Sequence, residues 1–170
     1  MSPHNTYFEQ VSLETVKKAL RVSGRHEAEV GQEPLEKAAP GQHRRIPITV
    51  LLADDNDCIR RAIARLLQGV PDIQILAEAS SLAQTLDLAS RLHPQVIVLD
   101  PDMGDECSVI RAEVKSAFRG SQLVAISIWD DDETKSLAKT LGATALLDKV
   151  DLATALIPAI RSSATGSKWD

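Results

Sequence analysis

The chain has 170 residues, 44% hydrophobic and 25% charged, which suits one compact domain with its own core plus some non-globular length. Net charge is -5 and the pI about 5.4, and no stretch gathers the Lys and Arg density of a nucleic-acid-binding face or a polybasic membrane anchor. Direct nucleic acid binding is therefore not expected, and with aromatics at only 3% the core must be filled by Ile, Leu, Val and Ala.

The opening MSPHNTYFEQ lacks the charged-then-apolar pattern of a signal peptide, and the longest apolar runs are too short to cross a bilayer. A cytoplasmic protein without membrane contact is the expectation. SLETVKKAL predicts a short helix from Ser12, with Ser12 as N-cap and Val16 and Leu20 on one face. The stretch that follows, up to about Arg45, is rich in Gly, Pro, Glu and Gln, so residues 1–45 read as a flexible extension.

From Ile46 onward, short β-branched runs alternate with segments of helical period. Strands are predicted at Ile48–Ala53, Ile73–Glu78, Gln95–Leu99, Leu123–Ile128 and Ala143–Leu147. Helices are predicted at Cys58–Leu67, Ser81–Leu92, Cys107–Phe118, Asp132–Leu141 and Leu152–Ser162. Five βα units in a row give an α/β fold, a doubly wound parallel sheet with helices on both faces, over residues 46–163, leaving 164–170 as a tail. Pro71 and Gly142 fall in connections, whereas Pro158 falls inside the last helix and should kink or shorten it. Cys58 and Cys107 form no CxxC and have no His at ligand spacing, so both are expected as reduced, partly buried thiols.

The cleft of such a sheet lies at the carboxyl ends of its strands. LLADDND brings Asp54 and Asp55 there, VIVLDPD brings Asp100 with Asp102 two residues on, LVAISIW brings Ser127, and ALLDK brings Lys149. Two unit charges ~4 Å apart repel by roughly 4 kcal/mol at an effective dielectric near 20, so three gathered carboxylates need a cation or a proton. Mg2+ suits carboxylate, carbonyl and water oxygens. Held ionised by a metal and by Lys149, Asp100 becomes a competent nucleophile toward phosphorus.

VLLADDN, VIVLD, VAISI and LGATALLDK, in that order and each at a predicted strand end, resemble the receiver domain of bacterial two-component response regulators, from Ile46 to about Ser163. The resemblance implies a flavodoxin-like fold with strand order 2-1-3-4-5. It also implies phosphorylation of Asp100, Mg2+ held by Asp55 directly, by Asp54 through water or more weakly, by Asp100 and by the backbone carbonyl of Asp102, and phosphoryl contacts from Ser127 and Lys149. A sensor histidine kinase or phosphotransfer protein would be the donor. An output protein or domain would use the face of the last two strands and last two helices, where a homodimer could also form. No separate enzymatic turnover is implied beyond self-dephosphorylation. The GAxxxLxK segment is most similar to the NarL/LuxR-type subgroup, whose helix-turn-helix this chain is expected to lack.

The chain departs from the family in places. Leu146 stands where an aromatic is usual, Gly104 follows Met103 instead of Pro, DECSV replaces a Gly-containing stretch, and the bulky Ile128 and Trp129 follow Ser127. Val150 follows Lys149 instead of Pro, so that peptide should be trans, since a non-Pro cis bond costs roughly 2.5 to 4 kcal/mol. Simpler roles exist: Asp54 and Asp55 as helix caps, Asp100 as a turn acid before Pro101, Ser127 as a structural hydroxyl, Lys149 as a surface lysine, and Asp130–Glu133 as a helix N-terminal cluster. Two rival functions exist as well. One is a non-phosphorylated pseudo-receiver that binds proteins. The other is a haloacid-dehalogenase-type phosphatase in which Asp100 and Asp102 of VIVLDPDM act as nucleophile and acid/base.

Overall fold

A computed structural model describes residues 46–103 and 111–166. Five strands alternate with five helices: β1 (Ile48–Ala53), α1 (Asp57–Gln68), β2 (Ile73–Ala79), α2 (Leu82–Leu92), β3 (Val96–Leu99), α3 (Arg111–Ala117), β4 (Gln122–Ser127), α4 (Asp132–Leu141), β5 (Ala143–Asp148) and α5 (Leu152–Ala164). The strands form one parallel sheet in the order β2-β1-β3-β4-β5. Flavodoxin-like topology is thus as expected. The predicted helix at Ser12 and the Gly104, DECSV and Cys107 positions lie outside the described residues.

Period-two alternation in the central strands feeds two cores, one on each face of the sheet. Val50, Leu52, Val96, Val98, Val124 and Ile126 point to one side, where Ile59, Ile63 and Leu67 of α1 and Leu152, Leu156 and Ile160 of α5 cover them. Leu51, Ala53, Ile97, Leu99 and Leu123 point to the other, under Ala89 of α2, Val114 of α3 and Leu141 of α4. Every residue of β3 is buried, as a central parallel strand requires.

The helix ends follow capping chemistry. Asn56, not Asp54 or Asp55, caps α1, its side chain accepting from the N–H groups of Cys58 and Ile59, so the capping role considered for the acid pair is overturned. Asp131 caps α4 and Gly142 closes it with φ 85°, a left-handed geometry that glycine adopts without steric cost. Two expectations need correction. Cys58 is an exposed, free thiol rather than a half-buried one, because in the first turn of α1 it falls on the side away from Ile59 and Ile63. Pro158 does not shorten α5, which runs on to Ala164. Both Pro158 and Thr154, whose carbonyl loses its usual N–H partner, are exposed, so water can serve that carbonyl while Leu156, Ala159 and Ile160 anchor the helix. The Lys149–Val150 peptide is trans, and no helix among the described residues is long and apolar enough to cross a membrane.

Candidate functional site

The strand ladders carry on one residue past their ends and draw the chemistry together. The N–H of Asp54 donates to Ala79 at 3.2 Å, that of Asp100 to Ala53 at 2.9 Å, and that of Lys149 to Ser127 at 2.8 Å. Residues far apart in sequence thereby stand in one row at the carboxyl edge, with Ser127 paired to Asp148 in the β4–β5 register.

Lys149 is buried at 3% exposure and points its Nζ at two carboxylates, 2.5 Å from Asp100 Oδ2 and 2.8 Å from Asp54 Oδ2. Burial alone would lower its pKa, but the charges of Asp100 and Asp54 and the hydrogen bond to Asp100 outweigh that and hold it above the usual lysine value. Burial pushes Asp54 the other way from a normal surface acid, raising its pKa despite the ammonium beside it, with the Asp100 charge adding to the rise. One Asp54 oxygen accepts the N–H of Asn56 at 2.8 Å. The other, Oδ2, is buried and accepts no hydrogen bond, with the Lys149 ammonium 2.8 Å away as an ion-pair partner.

Paired in charge with Lys149 but accepting no hydrogen bond, this oxygen keeps lone-pair capacity for a second cation. Asp55 is exposed, and one carboxylate oxygen from each of Asp54, Asp55 and Asp100 lies within 4.8 Å of the others. Three oxygens of this hard type, with one lone pair unserved, fit a hydrated divalent ion. The fourth expected ligand residue, Asp102, does not bring its carboxylate into this group. Its Oδ2 accepts the Ser127 hydroxyl at 3.1 Å, and its N–H donates to Asp100 Oδ1 at 2.9 Å. Burial, then the nearby charge of Asp100, raises the pKa of Asp102.

All five strand-end residues named from sequence therefore converge; Lys149 is buried and is not a surface lysine, whereas Asp100 also fills the turn-acid role before Pro101, its Oδ1 accepting the N–H of Asp102. Two supporting residues were not foreseen. Asn56 braces Asp54, and an Asn directly before a helical run was a legible capping signal. Arg60 donates to the Asp54 carbonyl at 2.8 Å while pairing with Asp57 and, at 3.2 Å, with Glu78 at the end of β2. Nothing in its spacing distinguished it from any surface arginine. At the rim, Trp129 and Val150 are exposed large apolar side chains, and Trp129 donates its N–H to Ser127 Oγ at 3.0 Å. Leu146 is half-buried and, with Leu147, Lys135 and Lys139, lines a cleft of about 420 Å3 between α4 and β5.

Comparison with known proteins points one way. The family described as response regulator receiver domain matches residues 50–161. The nitrate/nitrite response regulator protein NarP of Escherichia coli is 32% identical over 127 residues, covering 72% of this chain and 57% of that protein. The transcriptional regulatory protein LiaR of Bacillus subtilis is 31% identical over 121 residues, covering 70% and 57%. The chain thus spans little more than half the length of these curated relatives. Among solved structures, the signal receiver domain of a response regulator, NarL, from Mycobacterium tuberculosis superposes with a TM-score of 0.64 at 27% identity, covering 71% of this chain and 98% of that one.

Proposed function

This chain belongs to the response regulator receiver domain family, and from that premise we propose that it is a phosphoacceptor of a two-component phosphorelay, modified on Asp100 in the presence of Mg2+. The observation that carries the reading is the pair of contacts that Lys149, the one buried ammonium among the described residues, makes to Asp100 and to Asp54, with one oxygen each of Asp54, Asp55 and Asp100 gathered beside it. Asp54, Asp55, Asp100 and the backbone carbonyl of Asp102 would hold Mg2+, which when bound supplies positive charge against the carboxylates and the transferring oxygens.

In the transfer an Asp100 oxygen forms a bond to phosphorus as the phosphorus–nitrogen bond of a donor phosphohistidine breaks, and the leaving imidazole takes its proton from solvent. Lys149, already beside Asp100, neutralises one phosphoryl oxygen, and Ser127 donates its hydroxyl to another. Hydrolysis returns the free carboxylate, with no other turnover. The donor is a sensor histidine kinase or phosphotransfer protein. The output is a shift between two conformations, read by a partner protein or domain on the β4–β5 and α4–α5 face, which also offers a dimer contact. Moving such an equilibrium from 1:99 to 99:1 takes about 5.5 kcal/mol of differential stabilisation.

Incubation with acetyl phosphate and Mg2+ followed by intact mass measurement tests this reading. One added phosphoryl group, abolished by Asp100→Asn, is expected. An unchanged mass with acetyl phosphate and with a phosphohistidine donor would favour an unphosphorylated protein-binding module, and turnover of an aryl phosphate would favour a phosphatase.

A further inference from the structure

Ser127 is buried at 2% exposure and has a single proton to give. That proton is committed: Oγ donates to Asp102 Oδ2 at 3.1 Å and accepts from the Trp129 N–H at 3.0 Å. Asp102 is itself fixed to the reacting residue, its N–H donating to Asp100 Oδ1 at 2.9 Å. A phosphoryl group on Asp100 would present acceptor oxygens only. Ser127 can serve them only by turning its proton away from the Asp102 carboxylate, giving up the 3.1 Å hydrogen bond it makes there.

We infer that Asp102 is a positioning residue that holds the Ser127 hydroxyl out of the reaction, its carboxylate competing with the incoming phosphoryl group for the Oγ–H and so slowing modification of Asp100. The inference rests on the phosphoacceptor reading and deepens it. One hydrogen bond is exchanged for another, and the abandoned Asp102 carboxylate, on an exposed residue, passes to water. The substitution of a side chain at this position leaves the backbone carbonyl of residue 102 in place.

A carboxylate this close to the phosphoryl group would also repel it whatever Ser127 does, and a double-mutant cycle separates the two effects. Rates of phosphoryl uptake from acetyl phosphate with Mg2+, read by intact mass, are compared for the parent chain, Asp102→Ala, Asp102→Asn, Ser127→Ala and the Asp102→Ala/Ser127→Ala pair. With Ser127 present, Asp102→Ala should speed uptake about tenfold, a difference of ~1.4 kcal/mol. In the Ser127→Ala background it should change the rate less than twofold. Asp102→Asn, which keeps the shape but weakens the acceptor, should fall between parent and Asp102→Ala. Equal acceleration in both backgrounds, or none in either, overturns the inference while the phosphoacceptor reading stands. Absence of any adduct in the parent chain and in every variant, with acetyl phosphate and with a phosphohistidine donor, overturns both.

Discussion

Lys149 is the single buried cation among the described residues against which Asp54 and Asp100 are set, so each partner's removal has a different expected consequence. Lys149→Met leaves two buried carboxylates facing each other, and breaking a buried pair this way costs about 3–5 kcal/mol. Urea unfolding should show that loss in chelator and a partial recovery with Mg2+. Asp54→Asn removes an acid whose folded-state pKa lies above its ordinary value of 3.8, so the folded chain holds that proton more tightly than the unfolded chain. In the metal-free protein the Asp54 contribution to stability therefore falls as pH rises from 3.8 through the raised value and is flat above it. The difference in urea midpoint between the parent and Asp54→Asn should follow that course, the parent losing ground to the variant as pH rises through the window. A parent that gains on the variant over the same range contradicts it. The acids and the lysine were legible because apolar strands ended on them. The Ser127–Asp102 contact was not, since it depends on side-chain directions that strand periodicity leaves open.

At the scale of the elements, β-branched runs and helical spacing located all five strands and helices of the described residues to within a few positions. The start expected for α3, Cys107, lies outside the described residues. Capping residues explain most other ends: Ser81 was expected inside α2 and instead caps it. Of the two effects expected of Pro158, the shortening is absent, because the packing of Leu156, Ala159 and Ile160 holds α5 on the sheet past it. Pro158→Ala should restore one helix hydrogen bond at an exposed position and raise stability by about 1–3 kcal/mol, measured by the urea midpoint. A lower midpoint would mean that the ring's restriction of the unfolded chain outweighs the missing bond.

For the molecule as a whole, the doubly wound sheet explains why chemistry assembled from residues 54 to 149 needs no long-range design beyond register. Parallel strands all deliver their carboxyl ends to one edge, and two cores lock the register from both faces. Strand order was carried by the family resemblance, since alternation alone shows that a sheet is parallel without ranking its neighbours. On the proposed reading, this edge makes one carboxylate among several reactive. Treatment with acetyl phosphate, with Mg2+ or with chelator, followed by borohydride reduction converts an acyl phosphate at Asp to homoserine, which peptide mapping can place. Homoserine at position 100 alone, and only with Mg2+, is the expected result; homoserine at Asp54, Asp55 or Asp102, or at position 100 regardless of the metal, would contradict the account.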